Sequence, residues 1–242
     1  MIDPSLIRPA NARFDALAGI QQWSDWWELK SRTLMLFDEV VGGGASRRDQ
    51  KDLQMVLGAS VEFFISALLY FDSVNHDPIR FLINSPGGDI MSGLALIQVM
   101  RDLESPVHTI VVAEAASMAA VIAVAGHKRF AYPQARWLLH RGKTEGARGD
   151  ADDVAITAKE LRVRDGQADL IVVNYTKIPP DKLKRMQVKD KWLGTPEALK
   201  WGLIDEVIMP RTGPANWLPD KEFLKSIRER EEEEAEAEEG KS

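Results

Sequence analysis

Cysteine is absent from the 242 residues, which excludes a disulfide scaffold, a thiolate metal site and a cysteine nucleophile. Histidine is scarce, with 4 residues, and that argues against a metal centre built on several imidazoles. Long apolar runs are missing too. The most apolar stretch, Val111 to Gly126, is broken by Glu114 and Ser117 and is too short to cross a bilayer. It reads as a buried strand running into a buried helix. Met1 to Ile20 lacks the basic-then-apolar pattern of a signal peptide, so a cytoplasmic location away from membranes is expected. Clustered positive charge is the fourth absence. The net charge is −6, and residues 229–242, with 8 glutamates against Arg230 and Lys241, carry all of it. The rest of the chain is close to neutral, which argues against a grip on phosphate backbones and so against a nucleic-acid partner.

What is present suits a globular core. Hydrophobic residues make up 45% and charged residues 28%, and the length fits one large domain with extensions. The division expected is an N-terminal extension over 1–30, a domain over 31–210, and a C-terminal extension over 211–242 that ends in the acidic tail. The first segment carries Trp23, Trp26 and Trp27, and Phe14 to Leu29 has amphipathic helical spacing. Gly42-Gly43-Gly44-Ala45-Ser46 is glycine-rich, but no Lys-Ser/Thr pair follows at phosphate-loop spacing, so it reads as a loop tip.

Between them, strands and helices alternate. Strands are expected over Thr33–Val40, Ile79–Asn84, His108–Val112 and Ile204–Ile208, with Phe130–Tyr132 and Trp137–Leu139 as a hairpin pair. Helices are expected over Val61–Val74, Met91–Leu103, Ser117–Ala125 and Asp152–Tyr175, then a short one after Pro179-Pro180. A last helix opens with Thr195 as N-cap and Pro196 at the first position, and Gly202 ends it. The alternation implies an α/β fold with parallel pairing, in which chemistry gathers where strands end and helices begin.

Three segments could carry chemistry. Ala115-Ala116-Ser117-Met118-Ala119 puts a serine between small residues at a strand-to-helix junction, the steric requirement of a nucleophile elbow. For a serine at such a junction, simple helix capping is the better reading on spacing alone. Asn84-Ser85-Pro86-Gly87-Gly88 combines a residue without a donor and two that allow positive φ, so a main-chain N–H can face a cleft; taken alone, an ordinary strand-to-helix turn is the better reading. Trp137-Leu138-Leu139-His140 ends an apolar strand on an imidazole, the usual proton acceptor for serine, although a histidine bonded to backbone is the commoner outcome. His76, His108 and His127 have no comparable setting. An orienting carboxylate is also needed, and Asp190 competes for that role with Asp152, Asp153, Asp165 and Asp181.

Taken together, INSPGG (Ile83–Gly88), AEAASMAA (Ala113–Ala120), the histidine after an apolar strand, and DKWLGTPEALKWGLID (Asp190–Asp205) resemble the proteolytic subunit of Clp protease, a serine peptidase family. The resemblance runs from about residue 30 to 208, and the 29 positions from Gly88 to Ser117 are part of it. It implies a crotonase-like ββα superhelix. It makes Ser117 the nucleophile, His140 the general base and Asp190 the orienting carboxylate, with the N–H groups of Gly88 and Met118 as an oxyanion hole. It implies polypeptide substrates, no cofactor and no metal. It further implies a homo-oligomeric ring of seven subunits, two rings stacking into a tetradecamer, fed by an AAA+ ATPase unfoldase. The helix from Asp152 to Tyr175 becomes the handle between rings and Gly142–Gly149 the edge beside it. A non-catalytic subunit of a mixed ring and a crotonase-like acyl-thioester enzyme are the alternatives. Arg141-Gly142 departs from the Gln-Pro usual after the family's histidine.

Overall fold

The structure, a computed structural model, describes residues 31–37, 39–40, 61–143, 149–188 and 190–209. The expected Phe14–Leu29 helix, the Gly42–Ser46 loop and the acidic tail lie outside these residues.

The sheet is built from β1 (Thr33–Leu36), β2 (Ile79–Ser85), β3 (Val107–Ala116), β4 (Lys128–Ala131), β5 (Arg136–Leu138), β6 (Trp192–Gly194) and β7 (Glu206–Val207). The main order is β1-β2-β3-β4-β7 and every pair along it is parallel, while β5 lies against β3, and β6 pairs antiparallel with β5. The helices are α1 (Val61–Val74), α2 (Ile90–Asp102), α3 (Met118–Val124), α4 (Ala151–Tyr175), α5 (Pro180–Val188) and α6 (Thr195–Trp201). This is the α/β architecture with a parallel sheet that the alternation implied, consistent with the crotonase-type fold.

The core follows from the pattern of each element. On α1 the residues Val61, Phe64, Ala67, Leu68 and Phe71 form one buried stripe at helical spacing, and Phe64 packs on Phe81 of β2 with ring centroids 5.2 Å apart. Every residue of α3 is buried, as its run of small and branched side chains requires. By contrast α4 has 25 residues and buries only Val172 completely. Its Asp150 N-cap and Asp153 form a capping box, so Asp152 and Asp153 serve the helix start. No helix among the described residues is long and apolar enough to cross a membrane.

Two expectations need correction. The Phe130–Tyr132 and Trp137–Leu139 segments do not form a hairpin. β4 pairs with the first half of β3 (His108 to Val111) and β5 with its end (Glu114 to Ala116), both parallel, so they run head to tail along one neighbour. The break between them is a jog at Tyr132–Ala135, where Pro133 cannot donate to a ladder and Ala135 N–H bonds Tyr132 O at 3.1 Å. Thr195 is not the N-cap of α6. Gly194 holds that position, and the Thr195 hydroxyl donates to Tyr132 O and Ala135 O at 3.1 and 3.2 Å, pinning the same jog.

Candidate active site

The parallel register collects three chain segments at one sheet edge. Ser85, the last residue of β2, lies opposite Ala115 of β3 after a register shift, and Asn84 Oδ1 accepts the Glu114 N–H there at 3.1 Å. The Ser85-Pro86-Gly87-Gly88 turn and Ser117 therefore leave the sheet side by side. Strand β5 ends with Leu138 opposite Ala116, and the Ser117 N–H donates to Leu138 O at 2.8 Å. That bond carries Leu139 and His140 to the same edge. The antiparallel pair of β5 with β6, Leu138 against Trp192, then brings Asp190 back beside them.

Ser117 occupies the N-cap position of α3 but does not cap it: its side chain makes no capping bond, and its backbone has φ 53° and ψ −126°. A non-glycine residue at positive φ costs on the order of 1–3 kcal/mol and persists only where its surroundings impose it. Here they do. A Cβ added to Gly87 would stand 2.6 Å from both Ala116 O and Ser117 Cβ, and 2.9 Å from Met118 N, so the glycine turn is packed against the serine junction. Gly88 bridges to Val40 through the Val40 N–H to Gly87 O bond at 2.6 Å and the Asp89 N–H to Val40 O bond at 2.7 Å. In that parallel bridge the N–H of Gly88 itself belongs to neither bond and faces away from Val40.

Ser117 and His140 line one small cavity of about 30 Å³, with Met118, Gly142, Asp165, Asp169 and Gln187 around them. That is room for a water molecule, not for a peptide. A larger cleft of about 320 Å³ lies elsewhere, between α5 and α6 beside Trp201, and neither Ser117 nor His140 reaches it. Among the described residues no hydrogen bond joins Ser117 to His140, and His140 Nδ1 is buried without a partner. Burial, then the nearby Lys143 cation, hold the His140 pKa below the ordinary histidine value, against the opposing pull of Asp190 and Asp165. The imidazole is thus kept neutral, the form that can take a proton.

The other histidines are engaged elsewhere. His76 pairs with Asp72 and Glu104 at the surface, His127 Nδ1 accepts the Val107 N–H at 3.1 Å, and His108 packs on Phe130 at the opposite end of β3. Asp190 adopts φ 43° and is exposed, with its Oδ2 paired to Lys143 Nζ at 3.4 Å; it makes no hydrogen bond to His140. Asp181 lies in the first turn of α5 and does not line the cavity. Sequence reasoning missed Asp169, which lines the cavity and whose carboxylate accepts the Gln187 side-chain N–H at 2.5 Å. Burial pushes its pKa up, despite that bond. The available signal was the polar Asp165/Asp169 pair, one turn apart on the face of α4 that also carries Val172.

Comparison with known proteins gives the family. The family model described as Clp protease matches residues 54–211. The chain belongs to the Clp protease family. It is 40% identical over 167 residues to the ATP-dependent Clp protease proteolytic subunit of Deinococcus radiodurans, covering 65% of this chain and 81% of that protein. It is 40% identical over 149 residues to the protein of the same name from Bacteroides thetaiotaomicron, covering 60% of this chain and 66% of that one. It is therefore a protease-subunit homologue of this family, and the AASMA junction, the SPGG turn and the WLGTPEA segment all fall inside the matched region.

Proposed function

We propose that this chain cleaves peptide bonds as a serine endopeptidase, with Ser117 as nucleophile, His140 as general base and Asp190 as orienting carboxylate. The observation that carries the reading is Ser117 itself. It is held at positive φ, its hydroxyl is not spent on the helix, and it shares a cavity with a neutral imidazole. The serine proton passes to Nε2 of His140 as the hydroxyl oxygen attacks the substrate carbonyl. The N–H groups of Gly88 and Met118 receive the negative oxygen, and each such donor is worth roughly 10²–10³ in rate. His140 returns the proton to the leaving amine, and water then hydrolyses the acyl-enzyme by the reverse order of steps. For Asp190 to bond His140 Nδ1 it must leave Lys143.

The same reading takes in the oligomer. Helix α4 exposes Ile156, Val163 and Leu170, a set of apolar side chains that a neighbouring subunit in a ring assembly would cover. A stacked seven-membered ring, an AAA+ ATPase feeding unfolded polypeptides, and a cytoplasmic location complete the proposal; the two relatives are named as ATP-dependent.

A fluorophosphonate probe tests it on the assembled protein. Wild type is expected to gain one label, mapped to Ser117, and Ser117→Ala none. His140→Ala should lose most of the labelling rate, which a serine–lysine mechanism would retain. A folded wild type that takes no label in any assembly state overturns the reading in favour of a non-catalytic subunit or an acyl-thioester enzyme.

A further inference from the structure

Helix α4 turns two carboxylates toward the site, and each is bonded to a different chain segment. Asp165 Oδ1 accepts the Gly142 N–H at 2.8 Å, two residues after His140. Asp169 Oδ1 accepts the Gln187 side-chain N–H at 2.5 Å, three residues before Asp190. Both acids line the cavity that holds Ser117 and His140. We propose that Asp165 and Asp169 are positioning residues: together they form a bracket on α4 that holds the segment behind His140 and the end of α5 ahead of Asp190 in register for the reaction. This rests on the roles proposed above for Ser117, His140 and Asp190.

Stability alone does not account for the pair. A helix with one fully buried residue, Val172, would gain more from apolar side chains on the face that meets the core. It instead carries two acids at i and i+4, a spacing at which like charges repel. Burial raises the Asp169 pKa, and the charge of Asp165 adds to that rise. Gln187 is buried at 8% exposure with its Oε1 unpartnered, a further desolvation cost.

The main chain is also shaped to the contact. A Cβ on Gly142 would stand 2.8 Å from Asp165 Oδ1, 2.9 Å from Ile90 Cδ1 and 3.0 Å from Leu161 Cδ1, so glycine is what lets the backbone approach the carboxylate. A proline there would have no N–H to give. Each bond joins residues far apart in sequence, and each ends within three residues of a group proposed to act in the reaction. A displacement of about 1 Å at such a group costs on the order of 10²-fold in rate.

The test uses the full chain in its assembled state with four variants: Asp165→Ala, Asp165→Asn, Asp169→Ala and Asp169→Asn. Hydrolysis of a fluorogenic peptide gives kcat and KM, the fluorophosphonate probe gives the rate of Ser117 labelling, and native mass reports the particle. The alanine variants should lose about 10- to 100-fold in kcat and labelling rate while KM stays within about twofold. The asparagine variants keep an oxygen that accepts the same N–H, and in Asp169→Asn the new amide also adds a donor beside the unpaired Gln187 Oε1. Both should recover to within about threefold of wild type. Alanine variants with wild-type kcat overturn the bracket. So do asparagine variants as slow as alanine, or losses that appear only where the particle has come apart. A wild type that never labels at Ser117 instead brings down the reading of the site, and the bracket with it.

Discussion

Lys143 holds the carboxylate of Asp190, with Nζ 3.4 Å from Oδ2, while the buried Nδ1 of His140 has no partner. The two needs are unequal. The lysine and aspartate side chains are 70% and 53% exposed, so their pair is screened and worth under about 1 kcal/mol. An unsatisfied buried ring nitrogen costs roughly 1–3 kcal/mol. Asp190 therefore gains by exchanging Lys143 for His140. Replacing the cation should favour that exchange. Lys143→Met is expected to raise kcat/KM at low salt, and added salt should narrow the difference between the two proteins. Indistinguishable values across ionic strength would show that the pair does not compete with the reaction.

The acidity of His140 gives a second expectation. Burial and Lys143 depress its pKa below 6.5, so the acid limb of kcat/KM should lie below the ordinary histidine value. The same depression has a stability sign. Well above pH 6.5 neither the folded nor the unfolded state binds this proton and the group contributes nothing. As pH falls below 6.5 the unfolded chain takes the proton first, so folding weakens until the folded pKa is passed. Lys143→Met removes an opposing charge and should move the acid limb to higher pH. Asp190→Asn removes a supporting charge and should move it lower, with kcat falling by about 10⁴-fold. An acid limb that stays put in both variants would separate these groups from His140.

Gly87 and Gly93 offer a contrast in what a single methyl does. At Gly87, with φ 101°, the added Cβ meets backbone and Ser117 Cβ at 2.6 Å, where nothing can yield without moving the serine junction. The φ alone costs about 1–2 kcal/mol. Gly87→Ala should lower the melting temperature and abolish measurable peptide cleavage. At Gly93 the three nearest atoms to the added Cβ all belong to the Met118 side chain, Cγ at 2.3 Å, and thioether side chains repack. Gly93→Ala should cost stability while keeping Ser117 reactive to the probe. Equal loss of reactivity in both would place the sensitivity in general packing.

Arg129 ties the far end of the sheet to the helices. It bonds both carboxylate oxygens of Asp205, at 2.5 and 3.0 Å, the Gly202 carbonyl at 2.7 Å, and the Tyr175 carbonyl at the end of α4. Arg129→Met leaves those acceptors unpaired and is expected to cost roughly 2–4 kcal/mol, read by urea denaturation. The bonds from Arg129 hold the Asp205 pKa below 3.8. That stability is present above the unfolded pKa and is lost as pH falls through the folded one, so Asp205→Asn should flatten the acid side of the stability profile.

Much of this protein is written in its local pattern. The stripe on α1, the strand-to-helix junction at Ser117, the left-handed Gly202 after α6 and the long polar α4 each follow from spacing, because each depends on residues within a few turns of one another. The motifs also bring the family to view, since INSPGG and AASMA state side-chain size and backbone freedom directly. Pairing partners were not legible. The β4 and β5 segments suggest a hairpin by proximity in sequence, and three-residue β6 leaves too little periodicity to see, yet the register of β5 against β3 is what brings His140 into one cavity with Ser117, and that of β6 against β5 is what returns the chain at Asp190 to the same end of the sheet. A capping serine and one whose hydroxyl is left off the helix read alike in one dimension; the structure, with Gly87 packed on the junction, has Ser117 at positive φ and uncapped. Asp169 and Gln187 meet across 18 residues and two helices, a contact no window of sequence contains. Composition and periodicity thus determined which elements form and which chemistry is available, since those are properties of neighbours along the chain. Which side chains face one another was decided by sheet register and helix docking, because long-range packing energy chooses among pairings that local preference leaves nearly equal.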